Sequence, residues 1–286
     1  MPGSCLIFYL TFDVYGNTNK VDLFRKVKNM KWNFIALIIL PILAEYQQQP
    51  RGGLNETLFR TDSIRINPYK TISEIPLPAG FTRTHAEKGS FANWLRQLAL
   101  KKNKNVYLFD GQLKANQDVQ FAVIDISKGN KDLQQCADAV MRLRAEYFYA
   151  NKQFAAISFW DNDKRCFKLG NLTDRKHFDK YLEKVFVHCG TISLSKQLKQ
   201  IKINEMKIGD VLIKGGSPGH AMIVVDMALN PSGKKIYMLA QSYMPAQDIH
   251  IVKNPSHEGK DAWYELSNEA IYTPEWKFYP DQLKTW

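Results

Sequence analysis

Three side chains follow one another in an order that suits nucleophilic catalysis. Cys136 in DLQQCADAVM is a thiol near the start of a helical pattern. His220 in GGSPGHAMIVVDMA is an imidazole at the mouth of an apolar strand, and Gln241 in IYMLAQSYM is an amide that interrupts an apolar run. A cysteine nucleophile needs a base within hydrogen-bond reach, and that base needs a partner to fix its tautomer. Amides at a helix N-terminus favour a thiolate, so the position of Cys136 predicts a lowered thiol pKa. Each residue also has an unreactive reading. Free cysteines are usually small buried hydrophobes, a strand-end histidine is often a satisfied structural group, and a buried glutamine commonly bonds to backbone.

These side chains need a helix and two neighbouring strands to position them. In DLQQCADAVMRLRAEYFYANK, Cys136, Ala139, Val140, Leu143 and Tyr147 recur at three and four residues, which predicts a helix beginning near Asp132. Upstream, Ser90 is placed to cap a helix over FANWLRQLAL, and NVYLFDGQLK reads as a hairpin turning at Asp110-Gly111. VQFAVIDI and FAAISFW read as strands, and TDRKHFDKYLEKVFVHCG as an amphipathic helix capped by Gly190. ISLSKQLKQI adds a short helix. After Gly209-Asp210, VLIKGG, HAMIVVDMA, KKIYMLAQSYM and DIHIVKN read as four successive strands, with NPSG turning between the second and third. Helices first and short antiparallel strands afterwards make an α+β layout. Gly215, Gly216 and Gly219 ahead of the strand are expected to give clearance around a groove.

A helix opened by a cysteine, then GDVLI, GHAMIVVD and a polar residue on the next strand resembles the NlpC/P60 superfamily of papain-like enzymes. More narrowly, QQCADAVMRLRAEY, GTISL, GDVLIKGGSPGHAMIVVDMA, LAQSYMPAQD and TPEWKF are similar to an exported bacterial family labelled domain of unknown function 4846, over most of the chain from about Ile75 onward. The resemblance implies a papain-like NlpC/P60-type fold, with N-terminal helices packed on a C-terminal antiparallel sheet or partial barrel. It places the nucleophile on Cys136, the base on His220 and the orienting group on Gln241. It also implies hydrolysis of amide bonds in peptidoglycan-type stem peptides, with a non-catalytic envelope-ligand module that keeps the groove as the alternative. The superfamily usually has Asp-Cys-Ser where this chain has Gln135-Cys136-Ala137, and its third residue is commonly His, Asn or Asp. Gln134, Gln135 and the Cys136 amide are candidates for an oxyanion site. Gln135, Gly219, Tyr243, Gln247 and Asp248 are candidates for substrate contact, with Met244 and Pro245 turning the chain beside them. Trp263 and Tyr264 are either groove walls or ordinary packing.

The remaining sequence bears on compartment and partners. Arg25, Lys26, Lys28 and Lys31 precede FIALIILPILA, an apolar run of about eleven residues. That pattern predicts a secretory signal over residues 30–44, with residues 1–29 an over-called extension and 45–74 a mobile, glutamine-rich lead-in to a single domain over 75–286. An exported protein of the periplasm or cell envelope is expected. Membrane contact is then expected only through the signal segment. The formal charge of +11 includes a net +3 in residues 1–44, which leaves about +8 beyond the leader. The lysines are dispersed and no nucleic-acid motif accompanies them, so a solvated basic surface or an anionic envelope polymer is a better match than nucleic acid. Three cysteines follow the leader, and pairing Cys166 with Cys189 would leave Cys136 free. No cofactor motif is found. A metal site from His220, Asp226 and His250 lacks any compact ligand spacing.

Overall fold

A computed structural model describes residues 65–170, 174–257 and 261–286, all within one unit, Asp62–Trp286. The expected leader, the upstream extension and the lead-in up to residue 64 lie outside the described residues. The end of the expected lead-in is built into the domain. Ile72 is fully buried, the Asn67 amide donates to the Lys102 carbonyl at 2.7 Å, and Arg65 donates to the Gln117 carbonyl at 2.6 Å.

The fold mixes helices with a largely antiparallel sheet, the α+β class expected. Four α-helices are described: α1 (Phe91–Arg96), α2 (Cys136–Ala150), α3 (Arg175–His188) and α4 (Thr191–Gln197). Ser90 caps α1 as anticipated, its hydroxyl accepting from the Asn93 amide at 3.1 Å. Helix α2 starts four residues later than the periodicity suggested. Asp132 is drawn off into side-chain bonds, accepting from Gln135 Nε2 at 3.0 Å and from the Ala246 amide at 2.7 Å. Gly190 does not close α3. Its φ of −155° is extended, and it opens α4 instead, while Cys189 ends α3.

The strands are β1 (Thr82–Arg83), β2 (Gln120–Val123), β3 (Ser158–Trp160), β4 (Cys166–Lys168), β5 (Lys199–Gln200), β6 (Val211–Lys214), β7 (His220–Leu229), β8 (Lys235–Gln241), β9 (His250–Val252), β10 (Tyr264–Glu265), β11 (Ile271–Tyr272), β12 (Lys277–Phe278) and β13 (Leu283–Thr285). The main sheet runs β2-β9-β8-β7-β6-β13-β5, with β1 joined to β7 and β10 to β8. The four strands expected after Gly209-Asp210 are β6 to β9, adjacent in sequence and in space.

Strand β7 is the spine. Its nearly unbroken apolar run is what a strand buried on both faces requires. Ala221, Ile223 and Val225 face the core that contains Ala137, Val140 and Met141 of α2, whereas Met222 and Val224 join Leu239, Val252 and Phe278 in a second core. A bulge between Val224 and Asp226 then switches the phase, so that Met227 faces the second core and Ala228 the first. Asp226, fully buried beside the bulge, accepts from Arg83 Nε and Arg96 Nε at 2.7 Å each. Both of its oxygens are therefore engaged by arginines.

Candidate functional site

Cys136 is the first residue of α2 and is 7 % exposed. Its sulfur lies against three backbone amides: its own, that of Ala137, and that of Ala221, the residue after His220. The helix thus delivers the thiol to the mouth of β7, where the β7–β8 ladder has already stopped at the Ile223–Ala240 pair. A cleft of about 250 Å³ opens here, lined among others by Gln135, Cys136, Asp138, Thr191, Gly219 and Met244.

The thiol is not activated in the way its position suggested. Burial pushes its pKa up to about 11, the nearby Asp138 carboxyl adds to the rise, and the amides offset only part of it. Asp138 is 6 % exposed, and burial raises its own carboxyl well above the ordinary range. One of its oxygens accepts from the Gln135 amide at 3.0 Å, and the other has no hydrogen-bond partner. Helix amides stabilise a thiolate only while they outweigh desolvation, and here desolvation is the larger effect.

His220 and Gln241 are brought together as anticipated. His220 Nε2 lies 2.8 Å from Gln241 Oε1, and both residues are buried. Around the imidazole stand the rings of Tyr243, Trp276 and Phe278, at centroid distances of 4.9, 5.3 and 5.9 Å. Burial lowers the His220 pKa to about 4, with Lys114 contributing in the same direction against the Gln241 hydrogen bond. Among the described residues no hydrogen bond joins Cys136 to His220. Along β7, Ala221 faces the core under α2, whereas His220 faces the other way, with Met222 and Phe278. Cys136 sulfur reaches the strand end at the Ala221 amide, one residue after His220.

The proposed contact residues divide. Gln135 and Gly219 line the cleft, as does Met244, which is 56 % exposed. Tyr243 packs on His220 and sits under the Lys114 ammonium at 5.3 Å. Gln247 and Asp248 correct the expectation. Both are almost wholly buried, Gln247 donating to the Pro245 carbonyl and Asp248 pairing with Lys101 at 2.9 Å and Lys128 at 3.7 Å. They hold the turn in place instead of meeting a ligand. Gln134 is also buried and does not line the cleft; its carbonyl accepts from the Ser242 hydroxyl at 2.8 Å. Trp263 and Tyr264 are packing residues, 1 % and 4 % exposed, with the indole donating to the Pro76 carbonyl and the phenol to the Lys253 carbonyl.

Gly216 and Gly219 border the cleft, and Gly219 has a second role in the loop itself. A Cβ on Gly219 would lie 2.4 Å from the Gly216 carbonyl oxygen, 2.6 Å from Thr191 Oγ1 and 2.8 Å from the Lys214 carbonyl oxygen. Its missing side chain lets the loop close on itself and on α4. The cysteines differ from expectation. Cys136, Cys166 and Cys189 are all free thiols, and Cys189 joins Cys136 in lining the cleft. The metal reading fails on its donors, because both Asp226 oxygens are held by arginines, and among the described residues no group of three His, Cys, Asp or Glu could hold a metal ion.

Sequence reasoning missed Lys114 and Glu275. Glu275 Oε2 accepts from Gln241 Nε2 at 2.8 Å, and its Oε1 lies 2.6 Å from Lys114 Nζ. The two partners stand 161 positions apart in the chain. The turn motif TPEWKF was the only local sign, and it spoke for family likeness without giving Glu275 a role.

The chain belongs to the family described as domain of unknown function (4846), whose model matches residues 72–169 and 161–285. No curated protein and no solved structure matches it.

Proposed function

We propose that this member of the family is an exported cysteine amidase or peptidase of papain-like type, acting on peptide or amide bonds of the cell envelope. The observation that carries the reading is a thiol cradled by backbone amides in an open cleft, held against the strand residue that follows an imidazole tied to an amide oxygen. The perturbed pKa values imply a resting pair that is neutral thiol and neutral imidazole at pH 7. Proton transfer then accompanies attack instead of preceding it. As Cys136 sulfur bonds to the substrate carbonyl carbon, its proton passes to His220, and the carbonyl electrons move to oxygen. Collapse expels the amine, which takes that proton. Water, deprotonated by His220, then cleaves the thioester and returns the free thiol.

The second reading is a binding module that keeps the cleft without turning over its ligand. The lack of a Cys136–His220 hydrogen bond and the high thiol pKa favour it. Incubating the protein with peptidoglycan stem peptides separates the two by mass spectrometry. Hydrolysis adds one water and releases a new amine, and Cys136→Ala abolishes it. Retention of intact peptide by wild type and Cys136→Ala alike contradicts the enzyme reading.

A further inference from the structure

Behind His220 the hydrogen bonds form a chain whose sense can be worked out from one end. His250 is fully buried, and its Nδ1 lies 2.9 Å from the Asp248 carbonyl oxygen. A carbonyl only accepts, so Nδ1 carries the proton. Burial, with Lys114 adding to it, holds the His250 pKa down to about 3, so the ring is neutral and its Nε2 is a bare acceptor. Gln241 Nε2 sits 3.2 Å from that nitrogen and 2.8 Å from Glu275 Oε2, giving one acceptor for each of its two hydrogens. The amide oxygen is thereby turned toward His220, where it can only accept, so His220 Nε2 bears the hydrogen. The neutral ring then has a bare Nδ1.

We propose that the largely buried Lys114–Glu275 ion pair is a positioning device that locks the Gln241 carboxamide and so holds His220 in the tautomer with Nδ1 free to take a proton. Lys114 and Glu275 side chains are 7 % and 16 % exposed. A buried ion pair is weak as a stabiliser, because desolvating two charges offsets much of their attraction, so orientation is the better account of its presence here. Its setting agrees. Glu275 lies in the turn between β11 and β12, shaped by the Thr273 hydroxyl, which accepts from the Trp276 amide at 3.0 Å. The same hairpin lays Trp276 and Phe278 against His220, so one element carries both the aromatic cover and the acceptor oxygen that orients Gln241. The tautomer stands on these contacts and the neutrality of the two buried rings; its catalytic meaning rests on the cysteine–histidine reading above.

The test is nitrogen-15 NMR of the full chain with labelled histidine, read at pH 7 beside the alkylation rate of Cys136. In wild type His220 should give an Nε2–H ring and His250 an Nδ1–H ring. In the double variant Lys114→Met/Glu275→Leu, which keeps the bulk without the charges, His220 should become a mixture of tautomers. Alkylation should fall in step with the fraction lost from the Nε2–H form, about twofold for an even mixture. Glu275→Gln retains an acceptor oxygen and should retain the wild-type tautomer. Gln241→Met supplies a second route to the same mixture should the double variant not fold. A wild-type His220 protonated on Nδ1, or a His220 spectrum unmoved in both the double variant and Gln241→Met, overturns the positioning role. A moved tautomer with unmoved alkylation keeps the positioning role and contradicts the cysteine–histidine reading.

Discussion

Cys136 is pulled two ways. Helix α2 and the Ala221 amide offer its sulfur hydrogen-bond donors, while burial and Asp138 oppose ionisation and prevail, leaving a thiol near 11. The position of the cysteine at a helix start was legible from local spacing, but the sign of its pKa shift was not. Desolvation depends on packing from α4, the loop before β7 and the turn at Met244, which are far off in sequence. The balance can be moved at Asp138. In Asp138→Asn an acceptor remains for the Gln135 amide and the negative charge is gone. The pH profile of Cys136 alkylation should therefore shift to lower pH, and an unmoved profile would show that burial alone sets the thiol.

Among the elements, β6 to β9 were readable because each carries its own apolar run and turn. The NPSG turn and the long β7 are where the pattern placed them. The β7 bulge was not readable, since Asp226 looks like a polar end to an apolar strand until Arg83 and Arg96 are seen to hold it. Nor did the pattern reveal that the His220 ring turns away from the core under α2, because a period of two gives alternation but not which face the helix covers. The glycine loop between β6 and β7 carries a direct test. In Gly219→Ala the new methyl would meet two carbonyl oxygens and the Thr191 hydroxyl at 2.4–2.8 Å. Overpacking of this kind costs about 1–3 kcal/mol, read as a lower urea midpoint. An unchanged midpoint would mean that the loop yields freely.

The molecule as a whole encloses two histidines beneath one hairpin and one sheet. Unfolded imidazoles titrate near 6.5, and burial lowers His220 to about 4 and His250 to about 3. Between those values the unfolded chain binds protons that the folded one refuses. Their contribution is thus present above pH 6.5 and is lost as pH falls through 4 and 3. The slope approaches ~1.4 kcal/mol per pH unit for each histidine. Asp138, raised by burial, acts with the opposite sign, its contribution being lost as pH rises through its folded value. Urea midpoints should fall from pH 7 to 4.5, and His250→Phe should flatten that fall. A flat wild-type profile would contradict the burial of both rings. The class of fold was legible across the chain, whereas the polar network behind His220 was not, because its members are drawn from β8, β9, the β11–β12 turn and the segment before β2.

The central claim is that His220 serves as the base for Cys136, and the pH dependence of Cys136 alkylation by iodoacetamide tests it most directly. A base-assisted thiol reacts at a constant rate between the two pKa values, from about 4 to about 11. Wild type should therefore show a plateau through neutral pH. His220→Ala, with its fold checked by near-ultraviolet circular dichroism, should lose that plateau, react roughly a hundredfold more slowly at pH 7, and rise only toward alkaline pH. Two superimposable profiles, both climbing steadily with pH, would contradict the account.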